Sequence, residues 1–236
     1  MVLSASQRLS LSGTALKRLA LVSMLLDHLG ASCLEAGLFA SPELAAGPLR
    51  TLDLCLRWAG RLAFPLYCFL LVEGFLHTHS LRQYAGRMLA FALVSEVPFD
   101  LAFFRMPFYW GHQNVYWTLF LGLCALWCLQ HFGERSALGI CGALALAVLA
   151  ELLRTDYGAI GVFLILALYL ARASRAKQCL FGAVIVWYEL PAPLAFLPVY
   201  SYNGQRGRCS KAEQWAFSLF YPAHLALLAA VTNLLL

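Results

Sequence analysis

The sequence predicts an all-α integral membrane protein, a single polytopic bundle of about eight transmembrane helices over residues 1–236. Three observations lead there. Charged residues make up 12% of the 236 and hydrophobic residues 61%; a soluble domain carries roughly 25% charged residues, so polar surface is too scarce to coat a globule in water. The mean hydropathy is +0.72. The apolar residues also fall into runs close to the length of about 20 that a helix needs to cross a hydrocarbon core.

The runs fall approximately at 15–38, 51–76, 82–104, 114–131, 136–153, 158–172, 178–199 and 213–235. The first is long enough to span, and a Glu, a Gly and a Pro follow it instead of a small-residue cleavage site, so it reads as a first transmembrane helix and not a signal peptide. The sixth is short, and its start at Tyr157-Gly158 reads as re-entrant or shielded by neighbouring helices. No internal repeat or low-complexity segment interrupts the series.

Basic residues choose the orientation. The N-terminus and the loops after spans two, four and six hold Arg8, Lys17, Arg18, Arg82, Arg87, Arg135, Arg172, Arg175 and Lys177; the other side holds Arg50, Arg57, Arg105, Arg154, Arg206, Arg208 and Lys211. The bias predicts a cytoplasmic N-terminus, and eight spans return the C-terminus to the same side. The last outside loop, YNGQRGRCSK, breaks that rule: either the loop is functional or one span is miscounted. The net charge of +5 reads as this topology signal and as a means of attracting phosphate-bearing ligands. No basic run interleaved with aromatics points to nucleic acid. The eight cysteines show no zinc spacing and read as small buried hydrophobes.

Ionisable groups inside spans cost several kcal/mol and usually face a bundle interior, so depth is informative. At about 1.5 Å per residue His28 lies roughly 20 Å into the first span, a little past the midplane. Arg61 in the second span and His224 in the last reach the same level, and Asp27 neighbours His28. A second set lies toward the outer end: Glu96 and Asp100, one turn apart, with Asn114 and the Asp156–Tyr157 pair, as a vestibule. A third set, Glu73, His77, Arg82, Tyr84 and Arg87 with Lys17 and Arg18, lies at the inner mouth and is basic enough to hold phosphates. Lys17 and His28 are eleven residues apart, about three turns, so they share a helix face some 16 Å apart. A cytoplasmic coenzyme A resting its phosphates on Lys17 or Arg18 would extend its thioester toward His28.

The run KRLALVSMLLDH, Lys17 to His28, resembles the TraX family. So do GRLAFPLY from Gly60, VEGFLHT from Val72, SEVPFD from Ser95, QNVYWTL from Gln113, YGAIGV from Tyr157, YNGQRG from Tyr202 and FYPAHL from Phe220. The resemblance covers the chain from about residue 15 to its end, and the order and spacing of the pieces make it specific. The named member of that family is an inner-membrane protein that acetylates the N-terminal amine of F-type pilin. The resemblance therefore implies acetyl transfer from acetyl-coenzyme A, in the inner membrane and without a metal, to a pilin or another envelope acceptor, protein or glycan. Lys17 and His28 with ten residues between are also similar to the Arg/Lys–ten–His signature of the acyltransferase-3 family.

The site expected from these readings has His28 as general base, with Asp27, Arg61 and His224 around it. Adjacent helix residues point about 100° apart, so Asp27 is expected to pair with Arg61 or another helix, not with His28. Arg61 or His224 would stabilise the oxyanion. Lys17, Arg18, His77, Arg82 and Arg87 would hold acetyl-coenzyme A. Glu96, Asp100, Asn114, Tyr157 and Asn203 would receive the acceptor. Two other classes fit the same residues: a proton-coupled transporter, and a membrane scaffold whose polar groups tie helices together.

Overall fold

The computed structural model describes residues 10–40 and 47–234; Arg8 lies outside the described residues. The described chain is helical, with two isolated bridges, Leu11 to Tyr202 and Gln113 to Thr155. Helix α1 runs Gly13–His28 and continues as a π-helical stretch, Leu29–Gly37. Then follow α2 Pro48–Gly60, α3 Ala63–His77, α4 Leu81–Phe103, α5 Val115–Phe132, α6 Ala137–Leu152, α7 Gly158–Leu170, α8 Arg175–Ile185, the five-residue α9 Phe196–Tyr200 and α10 Lys211–Leu234. Among the described residues, four stretches are long and apolar enough to cross a membrane: Gly13–Gly37, Pro48–His77, Val115–Phe132 and Lys211–Asn233. Helices α6 and α7 are apolar but shorter.

Side-chain hydroxyls and amides set the starts. Ser12 accepts from the Ala15 amide, Ser80 from Gln83, Asn114 from Tyr116, Ser136 from Gly139 and Ser174 from Lys177, each occupying a donor that a helix N-terminus leaves open. The core lies among α3, α5, α6 and α7, around Phe69, Leu123, Leu126, Leu164 and Ile165. A second apolar cluster joins α1, α4 and α10 through Met24, Phe99, Ala102, Tyr221 and Leu225.

The seventh run, expected to cross once between 178 and 199, instead turns back. Arg175 at its start stacks over Tyr202 just past its end, and Gly182 packs on Phe196. Helix α8 has 11 residues, about 16 Å, too short for a core of about 30 Å. The chain reverses around Glu189 and returns through a 3-10 turn and α9. The run expected as one span is therefore a helical hairpin.

The hairpin also bears on the loop that broke the charge rule. Leu11 and Asn203 exchange backbone bonds with the opposite segment, Gly13 donates to the Gln205 carbonyl and Thr14 to that of Arg206. The loop YNGQRGRCSK therefore sits at the end where α1 begins, and α10 starts beside it, with Arg18 bonded to Glu213 at 2.7 Å. From there α10 runs parallel to α1: Lys17 meets Phe217, His28 meets His224 and Ser32 meets Thr232. The end of α10 thus lies opposite the start of α1.

Candidate functional site

Helix α1 carries two polar systems on two faces. Toward α10 it presents Lys17 and His28, so the face-sharing expected from their spacing holds. His28 Nδ1 lies 2.7 Å from His224 Nε2, with the rings stacked at 8°. His224 Nδ1 lies 2.7 Å from the Phe220 carbonyl. That carbonyl only accepts, so Nδ1 of His224 carries the proton. In the neutral pair His224 Nε2 then accepts, and His28 donates from Nδ1. This assignment leaves the lone pair of the pair on His28 Nε2. Phe103 and Tyr221 stand edge-on to the His28 ring, and Phe220 stacks on His224. Pro222 frees the carbonyl of Ser218, four residues back, and His224 does not bind that one.

Immediately after His28 the helix widens to π geometry, a rearrangement frequent at functional sites. It lets Gly30 lie against Arg57 of α2 while Ser32 turns to α10. Ser32 donates to the Ala102 carbonyl at 2.9 Å and lies 2.7 Å from the Thr232 hydroxyl, so this buried pair is satisfied.

Toward α2, Asp27 meets Arg57 at 2.8 Å, and Arg57 also reaches Glu35 at 3.5 Å. Asp27 and His28 do not pair, as expected from their helix angle. The partner, however, is Arg57, one turn before Arg61. Arg61 bonds neither histidine; it faces Glu189 of the hairpin turn at 3.5 Å. Both arginines lie on one stripe of α2, and depth alone does not separate them. His224 has both ring nitrogens engaged, so the oxyanion role expected for it has no donor to use.

The basic mouth is partly as expected. Lys17 Nζ lies 5.1 Å over Phe217, and Arg18 is tied to Glu213. Arg82 and Arg87 are exposed on the first turns of α4, and His77 bonds the Glu73 carbonyl at 2.8 Å. The hairpin adds Arg206 and Arg208, which the sequence reading had placed on the far side. Asn203 moves with them: it folds its own loop by accepting from the Gln205 amide and lies at this end, not with the other expected acceptor residues.

At the opposite end a cavity of about 400 Å3 opens among Arg61, His112, Glu151, Arg154, Asp156, Tyr157 and Glu189. Beside it, a cleft of about 310 Å3 is lined by Glu35, Arg50, Asp53, Arg57, Trp58, Arg61 and Glu189. Of the residues expected to form a vestibule, Asp156 and Tyr157 line the cavity, and Glu96, Asp100 and Asn114 do not. Glu96 accepts from Asn114 and from Trp117 Nε1, Asn114 also bonds the Ala92 carbonyl, and Asp100 accepts from the Tyr109 amide at 2.7 Å. These three tie α4 to α5 and to the 104–114 loop. His112 in that loop is held above its ordinary pKa by its bond to Asp156, against the opposing effect of burial. Its contribution to stability is full below the usual histidine range and fades as pH rises through the raised value.

Arg57, Glu35 and Glu189 were not singled out from sequence. Arg57 carried a signal, standing four residues before Arg61; Glu189 carried one too, as a lone carboxylate in an apolar run. Among the described residues no cluster of three metal-binding side chains forms.

A helical chain with stretches of membrane-spanning length and charged and histidine pairs between its helices is a polytopic protein with an ionisable interior. The chain belongs to the TraX family: the family model described as TraX protein matches residues 12–232. It is 30% identical over 253 residues to a Dichelobacter nodosus protein described as probable fimbrial assembly protein FimC, serogroup H1, covering 95% of this chain and 97% of that one. No solved structure matches.

Proposed function

We propose that the chain is an inner-membrane acetyltransferase that moves acetyl from cytoplasmic acetyl-coenzyme A to an amine or hydroxyl on an envelope acceptor. The observation that carries this reading is the His28–His224 pair, whose bonding leaves a lone pair on His28 Nε2, on the α1 face that also bears Lys17. The name of the Dichelobacter nodosus relative makes a pilus protein one acceptor to test; a glycan is the other.

In the step proposed, His28 Nε2 takes the proton of the acceptor amine or hydroxyl as its nitrogen or oxygen attacks the thioester carbonyl. The tetrahedral intermediate collapses, the C–S bond breaks, and the thiolate of coenzyme A leaves with that proton. His224 holds the imidazole in the productive tautomer. Lys17, Arg18, His77, Arg82 and Arg87, joined by Arg206 and Arg208, form the donor mouth. Arg61 and Tyr157 line the route from the other side, while Glu96, Asp100 and Asn114 brace the 104–114 loop whose His112 also lines it.

The bundle in this reading crosses the membrane seven times and adds the α8–α9 hairpin, entering and leaving at the Lys17 end. Helices α6 and α7 cross despite their length, α7 being enclosed by α3, α5, α6 and α8. Moving Arg206, Arg208 and Lys211 to the Lys17 side leaves only Arg50, Arg57, Arg105 and Arg154 opposite, so the positive-inside rule becomes decisive. Tags at the two termini are expected on opposite sides of the membrane. A single-cysteine variant keeping Cys209 is expected to react with an impermeant maleimide from the side of the N-terminal tag. Termini on one side would overturn the hairpin topology.

The activity is tested with purified protein and labelled acetyl-coenzyme A. Wild type is expected to release free coenzyme A in the presence of an acceptor-bearing envelope extract. Lys17→Ala is expected to raise KM for the donor about tenfold, the loss of one charge-assisted contact, with little change in kcat. Absence of donor binding by folded wild type would overturn the reading.

A further inference from the structure

The cavity at the Glu189 end has an unusual charge balance. Three basic side chains, Arg61, His112 and Arg154, face three carboxylates, Glu151, Asp156 and Glu189. Their mutual pairing is loose. Arg61–Glu189 and His112–Asp156 are each 3.5 Å apart, beyond the 2.7–2.9 Å of a full charge-assisted bond. Glu151 is used by the Ala159 amide at the start of α7. Arg154 has no side-chain partner among the described residues, and its backbone takes a φ of 54°, a conformation that costs energy in a non-glycine residue. The turn that holds it is fixed: the Gln113 amide donates to the Arg154 carbonyl at 3.0 Å, and Asp156 donates to that of Gln113 at 2.9 Å.

A simple ion of either sign would meet as many like charges as opposite ones here. A molecule carrying both signs a few ångströms apart would meet complementary groups at both ends. The rim adds a second constraint. Ile160, which lines the cavity, is 42% exposed, and Leu190 beside Glu189 is 69% exposed. Ile160 stands on α7 and Leu190 in the hairpin turn, both exposed where a membrane would supply acyl chains.

We propose that this cavity is a binding site for the headgroup of a zwitterionic aminophospholipid. Its phosphate lies against Arg61 and Arg154, its ammonium against Asp156 and Glu189, and its acyl chains run down past Ile160 and Leu190. The bound headgroup replaces the long Arg61–Glu189 contact with two shorter ones and so holds the hairpin turn against α2. The site stands apart from the His28 pair but shares Arg61 and Tyr157 with the acceptor route proposed above; its test does not depend on acetyl transfer, only on the chain lying in a bilayer.

The test is lipid retention by the full-length purified protein, measured by native mass spectrometry after exchange into phosphatidylethanolamine, phosphatidylcholine or phosphatidylglycerol. Wild type is expected to retain phosphatidylethanolamine about tenfold over phosphatidylglycerol, the worth of one charge-assisted contact. It is expected to retain phosphatidylcholine less well than phosphatidylethanolamine, because methylation removes the N–H donors that reach the carboxylates. Arg154→Asn, which removes the guanidinium at an exposed position with a residue that tolerates this backbone, should lower retention of all three lipids, since each carries the phosphate, and Glu189→Gln should bring the three toward parity, both eluting as folded, monodisperse protein. Equal retention by wild type, unchanged retention by Arg154→Asn, or a preference that survives Glu189→Gln overturns the site. Competition by soluble glycerophosphoethanolamine as strong as by the diacyl lipid would overturn the lipid as its source.

Discussion

Replacing His28 with alanine is expected to lower kcat/KM for acetyl transfer by about 10²–10⁴-fold, the contribution of a positioned general base. Donor affinity should be nearly unchanged, because Lys17 lies some three turns away on the same helix. The companion substitution separates a base from a structural histidine. His224→Gln removes the ring that accepts from His28 Nδ1 and is expected to cost about 1–3 kcal/mol, or roughly 5- to 150-fold in rate. It should also shift the pH profile, since His28 would no longer be confined to one tautomer. If His28 only packed helices, both variants would lose folded protein in parallel and the remaining folded fraction would turn over normally. Measuring kcat, KM and the pH profile on monodisperse protein of each variant distinguishes the two.

The fold was legible where it is local. The first six spans and the last lie within a few residues of the helices, because a run of apolar residues announces itself whatever it packs against. The seventh did not, because hydropathy does not distinguish a chain that crosses from one that turns back. Pro191, Pro193 and Pro198, following Glu189 in close succession, were the available signal: each removes a backbone donor that a continuous helix needs. The misplaced basic loop was a second sign, since the hairpin puts Arg206 and Arg208 at the Lys17 end. In the site, depth along α1 and α10 was enough to bring His28 and His224 to one level. It was not enough to choose between Arg57 and Arg61, which share a face of α2 one turn apart. Glu96 and Asp100 looked like a vestibule pair because their spacing is that of a shared face; the groups they actually meet, Asn114, Trp117 and the Tyr109 amide, come from segments whose approach no spacing reveals.

Arg57→Ala is expected to be the most destabilising single change among the charged residues, by about 3–5 kcal/mol, because it strands a largely buried carboxylate. Asp27 and Arg57 are 20% and 21% exposed, with Arg57 on Asp27 Oδ2, and Asp27 Oδ1 has no hydrogen-bond partner among the described residues. Gly60 explains how the pair is brought together: a Cβ there would overlap the Asp27 side chain, so the glycine lets α1 and α2 close to contact distance. Ser23 reinforces the seam, donating to the Ala59 carbonyl at 2.6 Å. Thermal unfolding in detergent should therefore show a large loss for Arg57→Ala and a substantial recovery when Asp27→Asn is added, since the second change removes the stranded charge. Arg61→Ala should cost less, its contact with Glu189 being 3.5 Å. Additive losses in the double variant, or a larger loss for Arg61→Ala than for Arg57→Ala, would show that Asp27 is not held by Arg57. The order of these effects bears on catalysis as well, because Asp27 is the residue before His28. A loosened α1–α2 seam rotates the helix that aims the imidazole at His224. The Arg57 variant is thus expected to lose activity through the position of His28, and adding Asp27→Asn to restore activity along with stability.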